Sequence, residues 1–180
     1  MKTETIQNIQ EYEFKGDEHF LLDANIWLYT YGPSVFRSED KDHVYNDAMT
    51  KMINSKCNLY MIVPILSEYI YRCLDKQLKL NKVDKNDLKA FRKTDGYEKI
   101  AKLIAADVKE ILDLVRCCSS MFENSKACEF LDKFLLCTLD FNDVVIEDFC
   151  ISNELILVTN DGDFKDCDVP ILTANPNLYR

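Results

Sequence analysis

The chain alternates between short apolar runs of strand length and longer stretches in which apolar residues return every three or four positions. Residues 19–22 read as a buried strand ending at Asp23, with Asn25 placed to start the next turn and Ile26, Trp27, Leu28 and Tyr29 continuing as a short helix. Gly32-Pro33-Ser34 breaks that helix. From residue 39 to about residue 53 the spacing predicts a second helix, with Val44, Ala48, Met49 and Met52 on one face. Residues 59–63 read as the next strand, ended by Pro64. The helix after it carries Ile65, Tyr69, Ile70 and Leu74 at helical spacing, with Glu68 on its first turns.

Residues 77–125 predict two or three helices, the clearest over 100–122, where Leu103, Ile104, Ile111, Leu114, Val115 and Cys118 keep the three-and-four spacing and Asp107 is an exposed exception. The run 134–139 reads as a third strand, and residues 143–152 as a helix turning Val144, Val145, Phe149 and Cys150 inward. Residues 154–159 and 169–172 supply the fourth and fifth strands. Strands and helices in alternation mean parallel pairing through right-handed crossovers, hence an α/β fold.

With 180 residues, the chain fits one domain able to bury a core without covalent staples. Gly and Pro are scarce at four each, which argues against disorder, and no repeat of fixed period is visible. The first ten residues are polar, unlike a signal peptide, and no apolar run is long enough to cross a membrane, so a soluble cytoplasmic protein is expected. The eight cysteines include no Cys-x-x-Cys pair and neither His19 nor His43 lies near a cysteine pair, which argues against zinc and for structural thiols in a reducing compartment. A net charge of −9 predicts weak non-specific association with phosphate backbones. Lysines and arginines gather between residues 76 and 102, but interleaved acids dilute their field, and the stretch reads as a solvated helical face.

Four acids change this picture. Asp23, Glu68 and Asp161 lie at or just beyond the ends of apolar runs, and Asp143 opens a helix. In an open parallel sheet the C-terminal strand ends face one crevice, so carboxylates distant in sequence can meet there. Such a cluster repels itself unless it holds a cation, and oxygen-only ligands favour Mg²⁺ or Mn²⁺. Taken singly, each acid could as readily cap a helix or a turn. Asp161-Gly162-Asp163 does not open an EF-hand loop, because its sixth and twelfth positions are Asp166 and Leu172. A phosphate-cradling glycine-rich loop is also absent.

Leu21-Leu22-Asp23-Ala24-Asn25, Ser67-Glu68, Asp143-Val144-Val145 and Val158-Thr159-Asn160-Asp161-Gly162-Asp163-Phe164 together resemble the four motif blocks of PIN-domain nucleases, in order, across residues 20–172. The resemblance implies a three-layer α/β/α sandwich with a parallel sheet of about five strands in the order 3-2-1-4-5, as a single domain over residues 1–180. Residues 1–17 would be an N-terminal extension and about 77–133 a helical insertion. It implies a Mg²⁺- or Mn²⁺-dependent endoribonuclease, with Asp23, Asp143 and Asp161 as principal ligands. Glu68 either binds a second ion or orients the attacking water. Asp163 matches an outer or alternative ligand, and Asn25 and Thr159 match supporting polar positions. Many members are toxins of toxin–antitoxin pairs, so RNA as substrate, an antitoxin as partner and a homodimer are expected. Glu147, one turn beyond Asp143, reads as solvated rather than metal-bound. A non-catalytic binding module, or a DNA-directed nuclease or phosphatase using the same acids, are the alternatives.

Overall fold

The structure is a computed structural model that describes residues 6–36, 39–84, 87–120, 123–136 and 139–178. Its centre is β2 (His19–Leu22), where Phe20, Leu21 and Leu22 are fully buried. A strand covered on both faces leaves no place for polar alternation, which is why this run is apolar throughout. β2 pairs in parallel with β3 (Asn58–Ile62) on one side and β5 (Ile156–Val158) on the other, so that Leu21 stands opposite both Tyr60 and Leu157.

Beyond β3 lies β4 (Arg116–Cys118), and beyond β5 lie β6 (Ile171–Thr173) and then β1 (Ile6–Asn8). The six strands, all parallel, run in the order β1-β6-β5-β2-β3-β4. The α/β class holds, with six strands instead of about five. The expected third strand is not one: α6 (Asn124–Phe134) ends where it was to begin, Leu135 and Leu136 follow as an exposed turn, and residues 137 and 138 lie outside the described residues. The place beside β3 goes to Arg116–Cys118, inside the stretch read as the end of a long helix. That helix, α5 (Asp95–Leu114), starts at the Thr94 side-chain cap and stops before β4; residues 121 and 122 of the expected helix are not among those described. Its buried stripe is Ile100, Ile104 and Ile111, whereas Leu103 is exposed and Asp107 is partly buried.

The remaining helices are α1 (Ala24–Thr30), α2 (Glu39–Asn54), α3 (Val63–Leu80), the short α4 (Leu88–Phe91) and α7 (Phe141–Ser152). Right-handed crossovers put α1 to α5 on one face of the sheet and α6 and α7 on the other, giving three layers. α1 packs on both α2 and α3. It ends at Thr30, and just beyond it, at Gly32, a Cβ would collide with the backbone of Leu28. Trp27 is wholly buried and donates from Nε1 to the Leu22 carbonyl at 3.0 Å, tying α1 to the end of β2. In the N-terminal stretch Ile6–Asn8 adds the edge strand β1 and Ile9 enters the core. None of the described helices is long and apolar enough to cross a membrane.

Candidate metal centre

Strand β2 passes directly into α1, and Asp23 at the junction is the N-cap, its Oδ1 accepting from the Ala24 N–H at 2.6 Å. Asp23 is nevertheless only 5% exposed. Its second oxygen accepts from the Thr159 hydroxyl at 2.7 Å and from the Asn25 amide. Thr159, at the end of β5, takes a hydrogen bond from the Asp161 N–H at 3.0 Å, and the Asn25 Oδ1 takes one from the Asn160 N–H at 3.1 Å. Asn25 and Thr159 therefore fasten Asp23 to the loop that presents Asp161. Asp161 in turn accepts from the Asp163 N–H at 3.1 Å and caps the 3₁₀ turn Gly162–Asp166.

Glu68 lies one turn into α3 and binds the Arg72 Nε at 2.8 Å. Asp143 occupies the first turn of α7, but the cap of that helix is Asp140, which accepts from the Asp143 N–H at 2.9 Å. All of these meet at one crevice of about 350 Å³, lined by Asp23, Asn25, Tyr29, Glu68, Arg72, Asp140, Asp143, Asn160, Asp161 and Asp163. Thr159 sits behind it, holding Asp23. The sequence reading omitted Asp140, Arg72, Tyr29 and Asn160. Two of them carry a local signal, since Asp140 stands three residues before Asp143 as a capping residue does, and Arg72 stands four after Glu68.

Glu147 is corrected: it is 7% exposed, pairs with Lys133 of α6 at 2.9 Å and accepts from the Asp168 N–H. It lies on the flank of α7 that faces α6 and lines a different cavity, so it serves the helix pair and not the crevice. An acid this deeply placed needs such a partner, because an unpaired buried charge is costly. Cys57, Cys73, Cys117, Cys118, Cys128, Cys150 and Cys167 are free thiols, and Cys137 lies outside the described residues. Burial pushes the Cys73 thiol up to about 11 and that of Cys150 far up as well, so neither is a nucleophile near neutral pH.

The electrostatics of the crevice are those of crowded carboxylates. Burial, and then repulsion from Asp140, Asp23, Asp161 and Glu68, push Asp143 up to about 8. Burial pushes Asp23 up to about 6, opposed by the Thr159 and Ala24 hydrogen bonds and reinforced by Glu68 and Asp161. The folded protein thus keeps protons that the unfolded chain releases near pH 4, and its stability falls as pH rises from about 4 to about 8. In chelator, the melting temperature is expected to decline across that window, as thermal denaturation at pH 5, 6.5 and 8 would measure. A flat or rising profile would show that burial and mutual repulsion do not raise these carboxylates in the native state.

The donor chemistry fits a hard divalent cation, being carboxylate and amide oxygen without sulfur or imidazole. Among the described residues, however, no three His, Cys, Asp or Glu side chains are grouped tightly enough to form a ready ligand set. The acids share the crevice without closing on a common point.

No family model matches this sequence, and no curated protein matches it. The fold is similar to that of a chain in the crystal structure of VapBC2 from Rickettsia felis bound to a DNA fragment from their promoter, with a TM-score of 0.53, 16% identity, and coverage of 86% of this chain and 98% of that one. At that identity the likeness is one of fold.

Proposed function

We propose that this protein is a PIN-like nuclease that hydrolyses RNA phosphodiester bonds with the help of Mg²⁺ or Mn²⁺, as the toxin of a toxin–antitoxin pair. The observation that carries the reading is the convergence of Asp23, Glu68, Asp143 and Asp161, from four separate segments, on one crevice where two of them hold their protons unusually tightly. The motif blocks, and the fold likeness to the VapBC2 chain, support it. The antitoxin partner rests on the resemblance alone.

Asp23, Asp143 and Asp161 would hold the cation, with Asp163 at the rim as an outer ligand. A bound divalent ion lowers the pKa of water and neutralises charge on the phosphoryl and leaving oxygens. The chain's own part is positional. The Ala24 N–H, Asn25 and Thr159 lock both oxygens of Asp23, which keeps one ligand pre-aimed. Asp140 caps α7 and so fixes the turn carrying Asp143. Glu68, on the α3 wall, would orient the attacking water or hold a second ion once it leaves Arg72.

Mn²⁺ binding selective for the native state stabilises it by about 2.7 kcal/mol at a hundred times its Kd. Purified protein is therefore expected to melt higher in Mn²⁺ than in chelator, and to cleave a mixed RNA pool only in Mn²⁺ or Mg²⁺. A folded protein that gains no stability and leaves RNA intact would refute the reading. Stabilisation without cleavage would favour a binding module, a reading that the Glu68–Arg72 pair lends some weight by occupying one of the four acids.

A further inference from the structure

We infer that Tyr29 is a further catalytic residue, whose phenolic O–H donates a hydrogen bond to a nonbridging oxygen of the scissile phosphate. The phenol keeps its proton throughout. The inference rests on the nuclease reading for its substrate, and on the balance of donors and acceptors in the crevice for its residue.

Six of the ten residues lining the crevice are carboxylates. When ionised they only accept hydrogen bonds. A phosphodiester is an acceptor too, its two nonbridging oxygens sharing a negative charge, so an oxygen turned away from the cation needs a donor from the chain. The crevice offers few. Asn25 donates from its amide to Asp23 and, at 3.3 Å, to Thr159, and Arg72 gives its Nε to Glu68. Tyr29 is different: it lines the crevice, and among the described residues no carboxylate or carbonyl takes its hydroxyl hydrogen.

The hydroxyl is also the part of Tyr29 that its neighbours leave available. The Tyr45 ring stacks on it at 5.6 Å and 15°, and the Lys41 ammonium lies 5.8 Å over it, so the ring is not free to stack on a base. Tyr45 is itself buried and fixed, donating to Asn160 at 3.1 Å and accepting from the Ala174 N–H at 3.0 Å. Burial lifts the Tyr29 phenol above its ordinary range; Arg72 and Asn160 oppose that shift, while Asp23 and Asp161 add to it, which places the hydroxyl among the crevice residues. A donor held in place before the substrate arrives needs no reorganisation as charge builds on the phosphoryl oxygens. Packing alone does not explain the hydroxyl, since a phenylalanine ring would join α1 to α2 through the same stack.

The test compares the wild-type chain with Tyr29→Phe, in Mn²⁺, on a short RNA whose cut bond has been mapped. The variant keeps the ring and its stack. Its kcat is expected to fall about tenfold, less than for a fully enclosed donor because Tyr29 is only half-buried. Mn²⁺ affinity by calorimetry and the melting temperature should match those of the wild type. Sulfur, a poor hydrogen-bond acceptor, is then placed at each nonbridging oxygen of the cut bond in turn. At one of the two positions it should slow the wild type without slowing Tyr29→Phe any further, as a shared contact requires. Unchanged kcat, weaker Mn²⁺ binding or a lower melting temperature in the variant, or sulfur effects that are the same in both proteins, would each overturn the assignment. Equal cleavage by both proteins would remove Tyr29 and leave the nuclease reading standing, whereas a wild-type chain that cuts no RNA would end both.

Discussion

Asp143→Asn is expected to lower Mn²⁺-dependent RNA cleavage by more than about a hundredfold, and at the same time to raise the melting temperature of the metal-free protein at pH 8. The two effects have one cause. Asp143 is held in a half-buried position against Asp140, Asp23, Asp161 and Glu68, and its carboxylate is tolerated there only at a cost. An amide of the same shape removes the charge and the repulsion together, so the apo fold relaxes while the cation loses a ligand. Each kcal/mol recovered raises the melting temperature by about 2–4 °C for a chain of this size. Cleavage rates with Mn²⁺ and thermal melts in chelator, on the same preparation, measure both. Retained activity would remove Asp143 from the chemistry. Lost activity with a lower melting temperature would give the residue a structural role instead.

Trp27→Ala is expected to cost about 3–5 kcal/mol, a large share of the roughly 5–15 kcal/mol that keeps such a domain folded. Trp27 is among the largest wholly buried side chains, so its truncation removes a large volume from the packed core. Its indole also gives the Leu22 carbonyl a hydrogen-bond donor immediately before Asp23. Trp27→Phe keeps most of the volume and loses only that bond, for which about 1–2 kcal/mol is expected. Urea denaturation of the two variants separates the contributions. Near-equal losses would mean that the hydrogen bond, and not the packing, anchors α1 to the sheet.

Much of the fold could be read along the chain because its central strands are apolar on both faces. Phe20, Leu21 and Leu22, and later Leu157 and Val158, admit no polar neighbour, and their burial follows from composition alone. The edge strands could not be read this way. Ile6–Asn8 and Arg116–Cys118 are three residues each, pair on one side only, and are half-exposed, so their apolar content is low. The run 134–139 misled for the opposite reason: it has a strand's composition, yet Leu135 and Leu136 are 72% and 71% exposed beyond the end of α6. Periodicity cannot separate a short buried strand from an apolar helix end.

The acids of the crevice were legible because Asp23 and Asp161 follow strands and Glu68 and Asp143 lie in the early turns of helices, where topology and not local sequence decides what they meet. Asp140 and Arg72 were not, since local pairing with Asp143 and Glu68 gives them an ordinary explanation that needs no crevice. Glu147 was misread because its partner, Lys133, belongs to α6, and nothing in the spacing of α7 alone announces it.

The bond from Thr159 to Asp23 spans 136 residues of chain. During synthesis, Asp23 emerges early and waits, without its clamp, until the loop after β5 has left the ribosome. The strand on which that loop is seated, β6, pairs in turn with the very first strand. An unfinished polypeptide therefore carries Asp23, Glu68 and Asp143 but neither Asp161 nor the clamp that arranges them, so the crevice is completed only when synthesis is nearly over.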